Sequence, residues 1–385
     1  MVTEMAWLQR IGYHADVIRR FYVHNFRCLE NFDLTLGGRA STLLIGKNGA
    51  GKTTVSLALE LLQKIGRGTN RISHLLSPID LTRGQPGAPM RFELEVELAK
   101  QVYTYAIAFE LPAGFKELRV REEKLFVDGQ AVYTRELARV HLSQLGQGQE
   151  AAFNIDWHLV ALPIIQYKLE GDPLAVFKEA LSRILVLRPY PAAIQGDSSE
   201  ETLQPVADLS NFSAWFSGLL AYAPAAYGLI ERYLKQLMPD FKDIRNQMIS
   251  KDARSLYVQF SNEKGHLPLP FQYLSDGEKC FMICALVLAM NEILGPLCCF
   301  WDEPDNYLGT SEVGHFVTDL RRSFESGGQL IATSHHPEAI LTFSNENTLV
   351  LFRRSHLEPT QLRPLSDIDV GNDLATALIR GDVEP

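Results

Sequence analysis

Residues 46–53 read Gly-Lys-Asn-Gly-Ala-Gly-Lys-Thr, and this stretch decides the fold prediction. It follows an apolar, β-rich segment at 41–45 and precedes a helical pattern that begins at Lys52 and ends at Gly66. Glycines at these spacings let backbone N–H groups close around phosphate oxygens, and the N-terminus of the helix adds a favourable dipole. A lysine suits phosphate charge, and a following hydroxyl suits Mg²⁺. The stretch therefore predicts a phosphate-binding strand–loop–helix unit.

The pattern around this unit predicts an α/β fold. Strand and helix patterns alternate near both ends of the chain, whereas residues 91–133 alternate apolar and polar side chains as antiparallel hairpins do. Residues 134–240 are predicted to be largely helical. We therefore expect a core built from residues 1–66 and 241–385, and an insertion at 67–240 that contains antiparallel hairpins and a helical lobe.

Two carboxylates follow a buried strand pattern late in the chain. Residues 297–301 are apolar, and Asp302 and Glu303 come directly after them. The carboxyl end of such a strand faces the ligand crevice of an α/β sheet. Asp302 is predicted to hold Mg²⁺ directly or through water, and Glu303 to polarise an attacking water as a general base.

Two further motifs are candidates for contact with phosphate. Ser275 and Glu278 form a capping-box pattern at the start of a long helix, and such a helix N-terminus can also receive an anion. His335 and His336 follow the strand pattern 329–333. A histidine at the tip of that strand is well placed to touch a terminal phosphate; His335 is favoured, with His336 as the alternative.

Composition narrows the class of protein. The 385 residues are 46% hydrophobic with a net charge of −9, which excludes a disordered chain and gives no general basic field for nucleic acid. The longest apolar run, 281–290, is about half the length of a membrane helix. The N-terminus lacks a secretory signal pattern, and the five cysteines contain no C-x-x-C pair. We expect a cytoplasmic protein with no membrane segment.

In this order along the chain, the motifs resemble those of ABC-class ATPases. Residues 46–53 resemble Walker A, 274–279 the signature, Asp302-Glu303 Walker B with its glutamate, and 304–308 the D-loop. Residues 22–27 resemble the opening strand of the RecF/SMC/OLD branch, for which the Asn-Gly form of Walker A is typical. The insertion is longer than in transporter ATPases, yet too short and too aperiodic for SMC arms. The chain therefore resembles small stand-alone bacterial ATPases, often labelled AAA family, that are similar to the OLD ATPase domain; RecF is the other candidate.

The resemblance implies ATP and Mg²⁺ as ligands and assigns roles by motif. Glu303 and His335 would be catalytic, Thr53 and Asp302 would hold the metal, and Asp305 would be the D-loop carboxylate. The nucleotide would be bound by Arg27, Asn48, Gly49, Ala50, Gly51, Lys52, Thr53 and Thr54. The signature residues Ser275, Gly277, Glu278 and Lys279 would act in a second subunit, so that a homodimer, or a higher oligomer built from it, sandwiches two ATP molecules. Asp276 departs from the small residue usual in the signature, and Gln63 and Gln85 both remain candidates for the Q-loop.

Three functions fit this resemblance. The first is a switch ATPase that controls a separately encoded nuclease or toxin, with anti-phage defence as the expected role. The second is a RecF-like repair clamp that binds duplex DNA, against which the charge of −9 counts mildly. The third is an ATP-gated scaffold with little turnover. OLD proteins carry a Toprim nuclease built around an Asp-x-Asp pair; residues 367–369 have that spelling, but only a short tail follows, which we expect to be solvated.

Overall fold

The computed structural model describes residues 17–143, 151–166 and 171–368. The chain forms two compact units: Met1–Ile184 with Phe343–Pro385, and Leu185–Thr342. These boundaries differ from those of the predicted core and insertion, whose limits stay a prediction. The predicted solvated tail from Asp369 onward lies outside the described residues.

The helices and strands of the described residues are numbered here in chain order. The strands are β1 (Val17–His24), β2 (Phe32–Thr35), β3 (Ser41–Ile45), β4 (Met90–Leu98), β5 (Gln101–Glu110), β6 (Arg119–Val127), β7 (Gln130–Glu136), β8 (Arg139–Leu142), β9 (Ala151–Asn154), β10 (Leu185–Leu187), β11 (Asp197–Ser198), β12 (Phe241–Ser250), β13 (Ala253–Asn262), β14 (Gly265–Pro270), β15 (Cys298–Trp301), β16 (Gln329–Thr333), β17 (Thr348–Phe352) and β18 (Gln361–Pro364). The helices are α1 (Lys52–Gly66), α2 (Pro173–Arg183), α3 (Phe212–Tyr222), α4 (Ala226–Leu237), α5 (Asp276–Leu294), α6 (Thr310–Glu325) and α7 (Pro337–Thr342).

The first unit contains an eight-stranded antiparallel sheet in the order β2-β1-β4-β5-β6-β7-β8-β9. Along β4, buried and half-buried residues alternate, as the period-2 pattern predicts. Asp128 and Gly129 join β6 to β7 with φ values of 48° and 78°, the two positive angles that a type I′ turn requires. The predicted hairpins are therefore confirmed.

The prediction that residues 134–240 are largely helical is wrong for the first part of that range. Residues 134–142 continue β7 and form β8, and β9 follows at 151–154. The alternation of apolar and polar residues that predicts a strand is interrupted here, because the charged residue Arg135 occupies an inward position of β7 with a fully buried side chain. Glu123 of β6 compensates that charge, and no local sequence pattern indicates this pairing.

The predicted strand–loop–helix unit also lies in the first unit. β3 and α1 have the predicted bounds, and β3 pairs in parallel with β17, which pairs antiparallel with β18. All residues of β3 and β17 are buried. α1 packs against α2, and the amide of Gln63 in α1 donates to the carbonyl of Ile184. The loop of residues 46–51 is therefore anchored at both ends in packed structure.

The second unit contains the parallel strands β10, β15 and β16 and a separate antiparallel sheet of β11 to β14. α5 is apolar on almost every side, which is typical of a helix that is buried all round, and it packs against α4 and α6. The apolar length of α5 is not enough to cross a bilayer, and the same holds for every helix in the described parts of the chain.

Candidate functional site

The loop of residues 46–51 in the first unit, here called the phosphate loop, requires glycine at two positions. A Cβ on Gly46 would lie 2.1 Å from the carbonyl oxygen of Leu351. At Gly51, φ is +108° and a Cβ would lie 2.7 Å from the hydroxyl of Thr360. Both positions combine a positive φ with close packing, so a larger residue at either one would displace the loop.

The N-terminus of α1 is arranged to receive an anion. Gly51 is its N-cap and offers no side chain to the first-turn N–H groups. Lys52 is buried, with its Nζ 2.9 Å from the carbonyl oxygen of Gly46, and the Thr53 hydroxyl group lies on an exposed residue. A loop with these donors and this dipole is suited to a phosphate group.

Arg27, predicted to bind nucleotide, lies in the same unit in a left-handed conformation with φ of 52°. Its Nε donates to Asp80 Oδ1 at 2.8 Å, and its backbone N donates to the Asp80 carbonyl at 2.7 Å. The guanidinium is therefore held by Asp80 here, and its contact with nucleotide remains a prediction. Of the two Q-loop candidates, Gln63 is buried in α1 and Gln85 is exposed.

In the second unit, the two predicted carboxylates lie at the carboxyl end of β15. Trp301 pairs with Ala332 of β16, so the next residue on each strand, Asp302 and Thr333, is adjacent. The Thr333 hydroxyl donates to Asp302 Oδ1 at 2.6 Å and accepts from the Glu303 backbone N at 2.8 Å. Thr333 thus holds the carboxylate of Asp302 and the backbone of Glu303. Thr333 belongs to none of the sequence motifs, although parallel pairing of residues 297–301 with 329–333 would have indicated it.

Glu303 adopts a left-handed backbone conformation with φ of +51°. Such a conformation costs about 1–3 kcal/mol for a residue other than glycine, and it occurs preferentially at functional sites. His335 Nε2 lies 3.3 Å from Glu303 Oε1, and both side chains are partly exposed. The His336 ring instead accepts from the Glu338 backbone N through Nδ1, so it is His335 that the fold brings to Glu303.

Asp305, the predicted D-loop carboxylate, is buried and accepts a hydrogen bond from the Ser334 hydroxyl at 2.6 Å. Ser334 Oγ also accepts from the backbone N of His336 at 2.9 Å. Burial raises the pKa of Asp305, and the Ser334 hydrogen bond opposes that rise. Ser334 therefore couples the residues after β15 to those after β16, a link that the sequence analysis did not predict.

Replacing Asp305 by asparagine is expected to increase the free energy of unfolding at neutral pH, because the buried charge disappears while Asn can still accept from Ser334. The folded pKa is raised above its unfolded value, so this carboxyl costs stability above that pKa and the cost disappears as the pH falls through it. In urea denaturation, the gain of the variant should therefore shrink as the pH falls from 7.5 toward the ordinary pKa of an aspartate. Asp252→Asn, at an exposed carboxylate, should show no such trend; an Asp305→Asn variant less stable than wild type at pH 7.5 would refute the expectation.

The predicted signature residues form a capping box at the start of α5. The Glu278 carboxylate accepts from both the backbone N and the hydroxyl of Ser275, each at 2.7 Å. Lys279 is buried, and its Nζ donates to the Pro191 carbonyl at 2.8 Å. Burial lowers the pKa of this ammonium. Ser275 is exposed, whereas Glu278 and Lys279 are engaged within the chain, which suits positioning of the helix end better than direct contact with a ligand.

The predicted metal ligands fit Mg²⁺ by their chemistry. Thr53 supplies a hydroxyl oxygen and Asp302 a carboxylate oxygen, both hard donors of the kind that Mg²⁺ prefers beside phosphate oxygens and water. One Asp302 oxygen, Oδ1, is held by Thr333. The roles of these and the other site residues in binding remain predictions.

Part of the sequence is similar to an ATPase family and to one OLD nuclease. Residues 17–100 match a family model described as an AAA ATPase domain. A stretch of 46 residues is 50% identical to the OLD nuclease of Thermus scotoductus and covers 12% of this chain and 8% of that protein. The chain thus matches a small fraction of the length of this curated relative.

Solved structures share the fold along nearly the whole chain. The SmcHead bound to the C-winged helix domain of ScpA has a TM-score of 0.54 at 14% identity, covering 91% of this chain and 98% of that one. The Smc head domain with an extended coiled coil, bound to the C-terminal domain of ScpA derived from Pyrococcus furiosus, has a TM-score of 0.54 at 11% identity, covering 96% and 100%. At such identities the similarity concerns the fold alone, and it confirms the predicted ABC-type P-loop α/β class.

Proposed function

We propose, from the premise that this chain is an ABC-class ATPase of the RecF/SMC/OLD branch, that it hydrolyses ATP as a switch whose nucleotide state controls a separate effector protein. Hydrolysis rests on one observation above all. Glu303, in a left-handed conformation fixed by Thr333, has its carboxylate 3.3 Å from His335 on a partly exposed edge. An acid–base pair held this way is suited to activating water.

In the proposed mechanism, each residue of the site either holds the phosphates and the metal ion or activates the attacking water. The N–H groups at the start of α1 and the Lys52 ammonium hold the terminal phosphates. Glu303 accepts a proton from the attacking water, and His335 orients that carboxylate or contacts the γ-phosphate. Thr53 and Asp302 would hold Mg²⁺, which supplies charge neutralisation at the phosphates when bound. Hydrolysis of ATP requires a general base and electrostatic stabilisation of the phosphates, and these side chains can provide both.

The switch itself would be a nucleotide-dependent dimer. Ser275 is exposed at the N-terminus of α5, a position from which it can meet the γ-phosphate of ATP bound to a second subunit. ATP would then join two subunits, and hydrolysis would separate them. A partner that binds one geometry better than the other can sense the difference.

Replacing Ser275 by arginine should therefore leave ATP binding intact and abolish the ATP-dependent dimer, because a long cation at this helix end blocks close approach of a second subunit. Light scattering after gel filtration, in a Glu303→Gln background that retains ATP, would measure the mass. Ser311→Arg, at an exposed position of α6, is the matched control and should still dimerise. A dimer that survives Ser275→Arg would count against the ATP sandwich.

Control of a nuclease or toxin in anti-phage defence rests on the resemblance to stand-alone ATPases and is supported by analogy only. The test is affinity capture of Glu303→Gln from its native host with ATP and nuclease treatment, followed by mass spectrometry. Lys52→Ala, which should not bind ATP, is the control. A stoichiometric nuclease or toxin-like protein captured only by Glu303→Gln would support the proposal. Recovery of DNA and recombination proteins without nuclease would favour the repair clamp, and absence of measurable turnover would favour the scaffold.

A further inference from the structure

Residues 353–360 connect β17 to β18 and are here called the strap; we propose that its two end residues, Arg353 and Thr360, are positioning residues of the ATP site. Two strap residues, Arg353 and Thr360, hold the carbonyl groups of Gly49 and Ala50 and so fix the phosphate loop in its binding conformation. This inference rests on the proposed ATPase function. None of the motifs identified in the sequence includes the strap.

Arg353 donates from all three guanidinium nitrogen atoms, once to the phosphate loop and twice to carbonyl groups of the strap itself. Nη1 donates to the Gly49 carbonyl at 3.3 Å, Nη2 to the His356 carbonyl at 2.7 Å and Nε to the Glu358 carbonyl at 3.0 Å. The planar guanidinium therefore fixes the fold of the strap and its distance from the loop together. A lysine has the same charge but cannot donate in three fixed directions.

Thr360 makes the second attachment. This residue is buried, and its hydroxyl donates to the Ala50 carbonyl at 2.8 Å. Its backbone N donates to the Cys28 carbonyl at 2.9 Å, which ties the end of the strap to the segment after β1. The hydroxyl also lies 2.7 Å from the position that a Cβ on Gly51 would occupy, so Thr360 packs directly on the phosphate loop.

A second arginine, Arg83, also holds the strap. Arg83 donates from Nη1 to the Leu357 carbonyl at 2.6 Å and from Nη2 to the carboxylate of Glu30. Three successive strap carbonyls, those of residues 356–358, thus accept from guanidinium groups. The strap has a defined shape although most of its side chains are exposed.

Holding these two carbonyls has a direct consequence for phosphate binding. In a trans peptide the C=O and the following N–H point in opposite directions, so the bond from Thr360 to Ala50 turns the Gly51 N–H to the opposite side. The bond from Arg353 fixes the preceding peptide, whose N–H on Ala50 closes a turn on the Lys47 carbonyl at 3.0 Å. A donated hydrogen bond on the carbonyl also strengthens the N–H as a donor. A loop shaped in advance loses less entropy when it binds ATP.

The test measures the dissociation constant of Mg-ATP by calorimetry for a set of single variants. Thr360→Val keeps the shape of the side chain and removes its hydroxyl group. We expect Thr360→Val and Arg353→Met each to weaken ATP binding about tenfold, because each variant loses a hydrogen bond to the phosphate loop. Thr360→Ser should restore wild-type binding, whereas Arg353→Lys should not. Arg354→Met, at the exposed neighbouring arginine, is the matched control and should bind like wild type.

The outcomes separate the two proposals. If wild type binds ATP and Lys52→Ala does not, but Thr360→Val and Arg353→Met bind like wild type, the strap has no positioning role. Restoration by Arg353→Lys would reduce Arg353 to a charge and overturn its assignment. If Thr360→Val lowers the melting temperature without nucleotide but leaves the dissociation constant unchanged, its role is structural only. Absence of ATP binding by wild type would overturn the ATPase assignment and this inference with it.

Discussion

Glu303→Gln is expected to reduce ATP turnover about 100- to 10,000-fold while ATP binding is retained, because a neutral amide cannot accept the proton of the attacking water. Glutamine is nearly isosteric with glutamate and tolerates the same left-handed backbone. The bond from the backbone N of residue 303 to Thr333 does not involve the side chain and should persist. The variant therefore removes the base and leaves the surrounding geometry in place.

Phosphate release at saturating Mg-ATP measures the turnover, and calorimetry measures the binding. Glu292→Gln, at an exposed glutamate of α5 in the same unit, is the matched control and should hydrolyse like wild type. If Glu303→Gln turned over normally, the base would have to be another group, and His335→Ala would be the next variant to assay.

A second large effect is expected in the first unit. Glu123 of β6 is completely buried and accepts from the hydroxyls of Tyr105 at 3.0 Å and Tyr133 at 2.8 Å. It also accepts from the backbone N of Ala161 at 2.7 Å and of Leu162 at 2.8 Å. The carboxylate thus ties the sheet to the segment that follows β9.

Arg135 completes this buried network. Its Nη1 lies 3.6 Å from the Glu123 carboxylate, and its guanidinium donates to the carbonyls of Leu137, Asp156 and Leu159. Burial, followed by the negative charge of Glu123, raises the pKa of both tyrosines well above the usual range. Both therefore remain protonated donors at any physiological pH.

Replacing Glu123 by alanine should lower the free energy of unfolding by about 3–5 kcal/mol, because it leaves the buried guanidinium of Arg135 without its counter-ion and several buried donors without their acceptor. Urea denaturation measures the loss. Glu122→Ala is a sharp control, since this neighbouring carboxylate lies on the half-exposed face of β6 with Arg91 and Lys124 and should cost about 1 kcal/mol or less. Equal losses for the two variants would contradict the expected importance of burial. The double variant Glu123→Leu with Arg135→Met should recover part of the loss.

How far the sequence predicts the site depends on whether a residue acts through its own motif or through a neighbour. The phosphate loop, Asp302, Glu303 and Ser275 were identified because glycine spacing, an apolar strand followed by carboxylates, and a capping box are local patterns. Thr333, Ser334, Arg353 and Thr360 were missed because each acts on a residue that is distant in sequence. The predicted contacts of Glu278 and Lys279 with nucleotide are less favoured, since their side chains bind Ser275 and Pro191.

The sequence by itself determined the α/β class, the strand–loop–helix unit with the bounds of β3 and α1, and the hairpin at Asp128-Gly129. Each depends on φ preference or hydrophobic period, which are properties of neighbouring residues. Only the tertiary structure decided that Arg135 belongs to a strand, that His335 and not His336 meets Glu303, and that the strap holds the phosphate loop. These facts depend on pairs of polar groups that strand register and packing bring together. Neither segment alone contains both groups of such a pair, so neither segment alone indicates the interaction.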